Sequence, residues 1–125
     1  MTYLLDVNAL IAAIWKDHAD HAVTDVWIEG KSLAICPLSE LGFLRVSTHP
    51  KAINAPMAAA RRALENFLEA NSPEFVPADL PALSSSPRGS DQVTDAYLAE
   101  LAAKHKMKLA THDRRIEHAA VHIIA

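Results

Sequence analysis

The chain has 125 residues, 50 % of them hydrophobic, and a formal net charge of −3. That length fits one domain, residues 1–125, with a core that needs no disulfide or metal staple. The negative charge excludes a surface that is basic all over, so any nucleic-acid partner must be met by a local patch.

Of the hydrophobic residues, 23 are Ala, so the bulky core is modest and Ala-rich helices are expected. Residues 1–40 carry a net −4, residues 41–72 a net +2 and the remainder −1, an asymmetry too small to name a partner. Cys36 is the only cysteine, which rules out an intramolecular disulfide and fits a reducing cytoplasm. It lies in the apolar run Leu33-Ala34-Ile35-Cys36 and reads as a small core residue. Asp6 interrupts any apolar leader, and no apolar run reaches membrane-spanning length. A cytoplasmic protein is expected.

Thr2 to Leu5 reads as a short buried strand ending at Asp6. Asn8 is a good N-cap for an apolar helix from Ala9 to Trp15. A second helix is expected over 19–29, with Ala22, Val26 and Trp27 on one side and Gly30 as its stop. Ser32–Cys36 is a second strand, and Pro37 suits the first turn of a helix running to about Val46. His49-Pro50 breaks that helix. Ala55–Ala70 is the next, Glu74–Pro77 a third strand, and residues 78–90, with Pro81, Pro87 and Gly89, a loop. Ser90 is expected to cap a helix to Lys104. Lys108–Ala110 is a fourth strand, Asp113 the cap of a short helix, and Val121–Ile124 a fifth strand. Apolar strands alternating with helices specify an α/β fold, a parallel sheet covered on both faces.

Four acids stand out in this frame. Asp6 ends the first strand, and Asp113 follows the fourth. Glu40 opens the helix after the second strand, with Phe43 and Leu44 at i+3 and i+4. Asp95 lies early in the helix before the fourth strand, on a face with Leu98, Ala99 and Ala102. Pattern alone does not decide at which end of the sheet Asp95 falls. Each has an ordinary alternative: turn residue for Asp6, helix cap for Asp113, first-turn acid for Glu40. Asp91 reads as a first-turn acid. Carboxylates among apolar neighbours are costly to bury unpaired, and four in one cleft need a cation with a taste for oxygen ligands. His18 and His21 are three apart, but a zinc site lacks its third ligand.

These residues carry a resemblance. Leu4-Leu5-Asp6-Val7-Asn8-Ala9-Leu10-Ile11 resembles the opening motif of PIN-domain ribonucleases. Ser39-Glu40-Leu41-Gly42-Phe43-Leu44-Arg45 resembles their middle motif. Val93-Thr94-Asp95-Ala96-Tyr97-Leu98 and Leu109-Ala110-Thr111-His112-Asp113-Arg114 resemble the closing ones. The stretch from His18 to Trp27 is similar to the toxins of VapBC toxin–antitoxin pairs. The resemblance implies a PIN-like α/β/α sandwich with a mostly parallel sheet of about five strands. It implies a catalytic quartet of Asp6, Glu40, Asp95 and Asp113, with Asp6, Asp95 and Asp113 on Mg²⁺ or Mn²⁺ and Asn8 and Thr111 in support. His112 departs from the pattern, where an apolar or aromatic residue is usual.

The implied activity is metal-dependent endoribonuclease cleavage, and the implied partners are RNA, a VapB-like antitoxin and a second copy in a homodimer. Because the chain is acidic, its arginines must supply the RNA contacts: Arg114 and Arg115 beside Asp113 first, then Arg45, with Arg61, Arg62 and Arg88 as further candidates. The alternatives are a housekeeping RNA-processing nuclease and a non-catalytic RNA-binding module. A phosphoacceptor receiver domain lacks its acidic pair after the first strand and its lysine after the last. A haloacid-dehalogenase-type phosphatase requires Asp where Asn8 stands.

Overall fold

The computed structural model describes residues 1–125. Five strands, β1 (Thr2–Leu5), β2 (Ser32–Ile35), β3 (Glu74–Phe75), β4 (Lys108–Thr111) and β5 (Val121–Ile123), form one sheet in the order β3-β2-β1-β4-β5. Every pairing is parallel, with Leu4 opposite Ala34 on one side and Leu109 on the other. The chain winds outward from β1 to β3, then crosses to β4 on the far side. The crossover leaves a switch point between the carboxyl ends of β1 and β4, where α/β sheets place their functional crevices.

Alternate strand residues feed two cores. Leu5, Leu33, Ile35 and Ala110 pack on one face beneath α1 (Val7–Ile14), α3 (Pro37–Thr48) and α4 (Met57–Asn71), with Trp27 and Ile28 of α2 (His21–Ile28) against them. Leu4, Ala34 and Leu109 pack on the other face against Tyr97, Leu98, Leu101 and Ala102 of α5 (Val93–Lys104). Cys36 is a fully buried free thiol in this second core. No helix is long and apolar enough to cross a membrane.

The structure corrects several local expectations. The N-cap of α1 is Asp6, whose Oδ1 accepts from Ala9 N at 2.8 Å, and the helix therefore starts at Val7 instead of after Asn8. Asn8 turns instead to β4 (below). Ser90 does not cap α5; residues Ser90–Gln92 form a single 3₁₀ turn, and α5 begins at Val93 without a side-chain cap. The inward residues of α2 are Thr24, Trp27 and Ile28, while Ala22 and Val26 face outward. The α2 register is fixed by Thr24, fully buried, whose hydroxyl donates to Asp20 O and accepts from His112 Nε2 at 2.7 Å each. No helix follows Asp113. Residues 112–120 carry the chain back along the sheet in turns, so that Val121 pairs with Leu109.

Candidate metal centre at the carboxyl edge

β1 ends at Asp6 because its backbone leaves the ladder there. Asp6 N still donates to Ala110 O at 3.2 Å, and its carboxylate then opens α1. The side chain is fully buried. One oxygen meets Ala9 N; Oδ2 has no hydrogen-bond partner in the protein. Burial pushes the Asp6 pKa up to about 7, with Asp95 and Asp113 adding repulsion and the Ala9 amide pulling it partly back.

Asp95 sits in the first turn of α5. A helix returning to a parallel strand runs antiparallel to it, so its start lies at the carboxyl edge; this places Asp95 beside the switch point. Its neighbours Leu98, Ala99 and Ala102 are all fully buried, as their spacing requires. Desolvation raises its pKa, and the negative charges of Asp113 and Asp91 raise it further against the pull of Arg115.

Asp113 is placed by its approach. Asn8 Oδ1 accepts from His112 N at 3.1 Å and from Thr111 Oγ1 at 3.4 Å, while Thr111 Oγ1 accepts from Asp113 N at 3.0 Å. Asn8 and the fully buried Thr111 thus pin the end of β4 to α1. Asp113 turns its carboxylate onto Arg115, Oδ1 taking Nε and Oδ2 taking Nη2 at 3.0 Å each. That pair holds Asp113 below the usual carboxylate range.

Asp6, Asp95 and Asp113 therefore share one electrostatic field. Glu40 stands at the same edge, in the first turn of α3. Burial raises its pKa, but its charge does not register on the other three; it bears on Cys36 instead. The side chains as placed do not close into a three-ligand cage; Asp113 faces Arg115. Yet an orphaned buried carboxylate oxygen among two further carboxylates is a donor set that fits a hard divalent cation.

Two residues given no role of their own in the sequence, Ser39 and Gly42, and Asp91, read there as a first-turn acid, also build the site. Ser39, fully buried, donates from Oγ to Leu5 O at 2.7 Å and ties α3 to the strand end beside Asp6. At Gly42 a Cβ would strike the Val7 side chain, so glycine lets α3 approach α1 closely. Asp91 lines the groove with Asp95 and stands 3.9 Å from Arg115 Nη1. None had a signal in periodicity; each acts across elements. Among the arginines, Arg45 lines that groove with Val7, Leu38 and Leu41. Arg88 pairs with Glu117 at 3.3 Å, and Arg114 is exposed. Arg61 and Arg62 flank a separate depression on α4.

A parallel sheet with three aspartates gathered at its switch point defines a class of acid-cluster α/β proteins. The PIN domain family matches residues 3–121, and the chain belongs to that family. It is 38 % identical to Ribonuclease VapC38 of Mycobacterium tuberculosis over 88 % of this chain and 84 % of that protein. It is 34 % identical to Ribonuclease VapC44 of the same organism over 97 % and 92 %. Among solved structures, the crystal structure of VapBC2 from Rickettsia felis bound to a DNA fragment from their promoter superposes with a TM-score of 0.62. It covers 92 % of this chain and 90 % of that one at 17 % identity, a likeness of fold.

Proposed function

We propose that this chain is a metal-dependent endoribonuclease and the toxin of a VapBC-type toxin–antitoxin pair. The observation that carries the chemistry is Asp6, a fully buried carboxylate with one unpartnered oxygen facing the fields of Asp95 and Asp113. The relatives named as VapC ribonucleases support RNA as the substrate. Asp6, Asp95 and Asp113 would hold Mg²⁺ or Mn²⁺, with Glu40 at the rim. When bound, such an ion lowers the pKa of a water and offsets charge on the phosphate at the transition state.

The protein's own groups set the geometry. Asp6 is fixed by capping α1, Asp95 by the buried face of α5, and Asp113 by the Asn8–Thr111 brace. Asp6, ionised only with difficulty in the metal-free protein, is deprotonated when a cation binds. Arg45 lines the groove beside the carboxylates and can meet phosphate oxygens as a bidentate donor, while Arg115 is engaged by Asp113 through Nε and Nη2.

The test is cleavage of single-stranded RNA by purified protein with Mn²⁺ or Mg²⁺. Asp6→Asn and Asp95→Asn should each abolish cutting, and EDTA should stop the wild type. Cleavage that persists in full chelation would refute the metal-dependent reading.

A further inference from the structure

We infer that Thr24 of α2 is a positioning residue for the metal centre: its hydroxyl holds the His112 ring and so fixes the backbone that presents the Asp113 carboxylate. This rests on the ribonuclease reading above.

Thr24 lies in the middle of α2, a helix that contributes none of the acids of the site. It is fully buried, and a buried hydroxyl has to find partners. Its proton goes to Asp20 O, one turn earlier, at 2.7 Å, the back-bond open to a helical threonine. That leaves its lone pairs for a donor, and His112 Nε2 supplies one at 2.7 Å. His112 therefore carries a proton on Nε2, which fixes the orientation of the ring. This is the only hydrogen bond made by the ring of His112. The histidine that departs from the PIN pattern thereby acquires a role.

The main chain of the same residue is held as well, since His112 N donates to Asn8 Oδ1 at 3.1 Å. Both holds lead back to α1. Asn8 belongs to its first turn. The other route runs through α2, whose first residue, His21, donates from Nδ1 to Ala12 O at 2.8 Å, with Thr24 one turn further on. Residue 112 is thus pinned, by backbone and by side chain, to the helix that Asp6 caps. Asp113 is the next residue. Asn8 and Thr111 grip this segment through backbone N–H groups; Thr24 adds the grip on a side chain, from a second helix. The spacing of the Asp6 and Asp113 carboxylates is then referred to one element, and a metal site is sensitive to displacements of about 0.5 Å.

The experiment uses the full chain. Thr24→Val keeps the branched shape and removes the hydroxyl; Thr24→Ser keeps the hydroxyl and removes the methyl. In calorimetry Thr24→Val should bind Mn²⁺ about tenfold more weakly than wild type, as loss of a support behind a metal ligand does. RNA cleavage with saturating Mn²⁺ should lose kcat, with KM for RNA within about twofold of wild type. Thr24→Ser should recover most of the affinity and of kcat. A merely structural role would lower the melting temperature and leave the Mn²⁺ affinity of the folded protein where it was. If Thr24→Val does not fold, Thr24→Ala, smaller and of better helix propensity, carries the same test. Unchanged Mn²⁺ affinity in a folded variant without the hydroxyl, or an equal loss in Thr24→Ser, overturns the positioning role and leaves the nuclease reading standing. A wild type that neither binds Mn²⁺ nor cuts RNA overturns both.

Discussion

Buried without a counter-ion, Asp6 sets the pH response of the metal-free fold. Its pKa is about 7 against an ordinary 3.8. Below about pH 4 the carboxyl is neutral in both folded and unfolded chains and exacts no penalty. Between there and pH 7 the unfolded chain ionises first, so stability falls as pH rises, by at most about 4 kcal/mol above pH 7. Asp95 and Glu40, both raised, act in the same direction. Asp113 is lowered and has the opposite sign, but its window lies below its ordinary 3.8. Asp6→Asn keeps an oxygen for Ala9 N and removes the charge. In EDTA it should melt higher than wild type at pH 8, by less at pH 5, and nearly level with it at about pH 4; thermal melts across that range decide. A lower melting temperature at pH 8 would mean that the carboxylate is itself structural. Arg115 gives a second residue-scale expectation. It occupies both oxygens of Asp113, so Arg115→Ala should tighten Mn²⁺ binding by about two- to fivefold, the worth of an exposed ion pair. Unchanged affinity in calorimetry would show that the guanidinium does not compete for that carboxylate. The sequence displayed Asp6 and Asp95 as charges set among apolar residues, and the structure finds them in such surroundings. It could not display the Asp113–Arg115 clamp or the place of Asp91, because these depend on how two loops fold back toward one another.

Among the elements, strands were legible and their ends were not. The central strands β1, β2 and β4 are short, mostly apolar runs, which a sheet covered on both faces demands, β3 is an exposed edge pair, Glu74–Phe75, and all five strands overlap the stretches expected. Ends shift by one or two residues wherever a side chain intervenes: the Asp6 carboxylate draws α1 forward to Val7. The helix expected after Asp113 is absent, and the carboxylate that was to cap it is taken by the Arg115 amide and guanidinium. The contact of α1 with α3 is the tightest constraint on the site, as it sets Ser39 and Glu40 against the end of β1. Gly42→Ala adds a methyl where the Val7 side chain already lies. Despite the better helix propensity of Ala, overpacking should cost about 1–3 kcal/mol. Val7→Ala in the same chain should recover most of it. Urea denaturation of the two single variants and the double variant measures the coupling, and additive effects would place the clash elsewhere.

At the scale of the molecule, the strand order concentrates function at one edge. Only β1 and β4 flank the switch point, and their ends carry Asp6 and Asp113. The alternation of strands and helices implied a parallel sheet with Asp6, Glu40 and Asp113 toward the carboxyl ends of strands, but not which strands adjoin, and Asp95's place in the cleft was legible only through family resemblance. The same edge bears a second feature. The groove of Val7, Leu38, Leu41, Gly42 and Arg45 runs to Asp91 and Asp95, and within it Leu41 is 62 % exposed. Apolar walls ending in carboxylates fit a peptide that presents aliphatic residues followed by an arginine or lysine. An antitoxin segment of that kind would bury Leu41 and set its cation among the acids, in competition with a metal ion. The expectation is that the product of an adjacent small reading frame co-purifies with this chain and suppresses its cleavage of RNA. Leu41→Asp should weaken the complex by tenfold or more, since it places a charge in the apolar part of the contact. It should leave Mn²⁺ binding intact, because Leu41 is no ligand. Pull-down and calorimetry on wild type and Leu41→Asp give the answer. If no neighbouring product binds, and expression of the active chain alone leaves growth unchanged, the toxin role falls and a housekeeping RNA-processing nuclease takes its place.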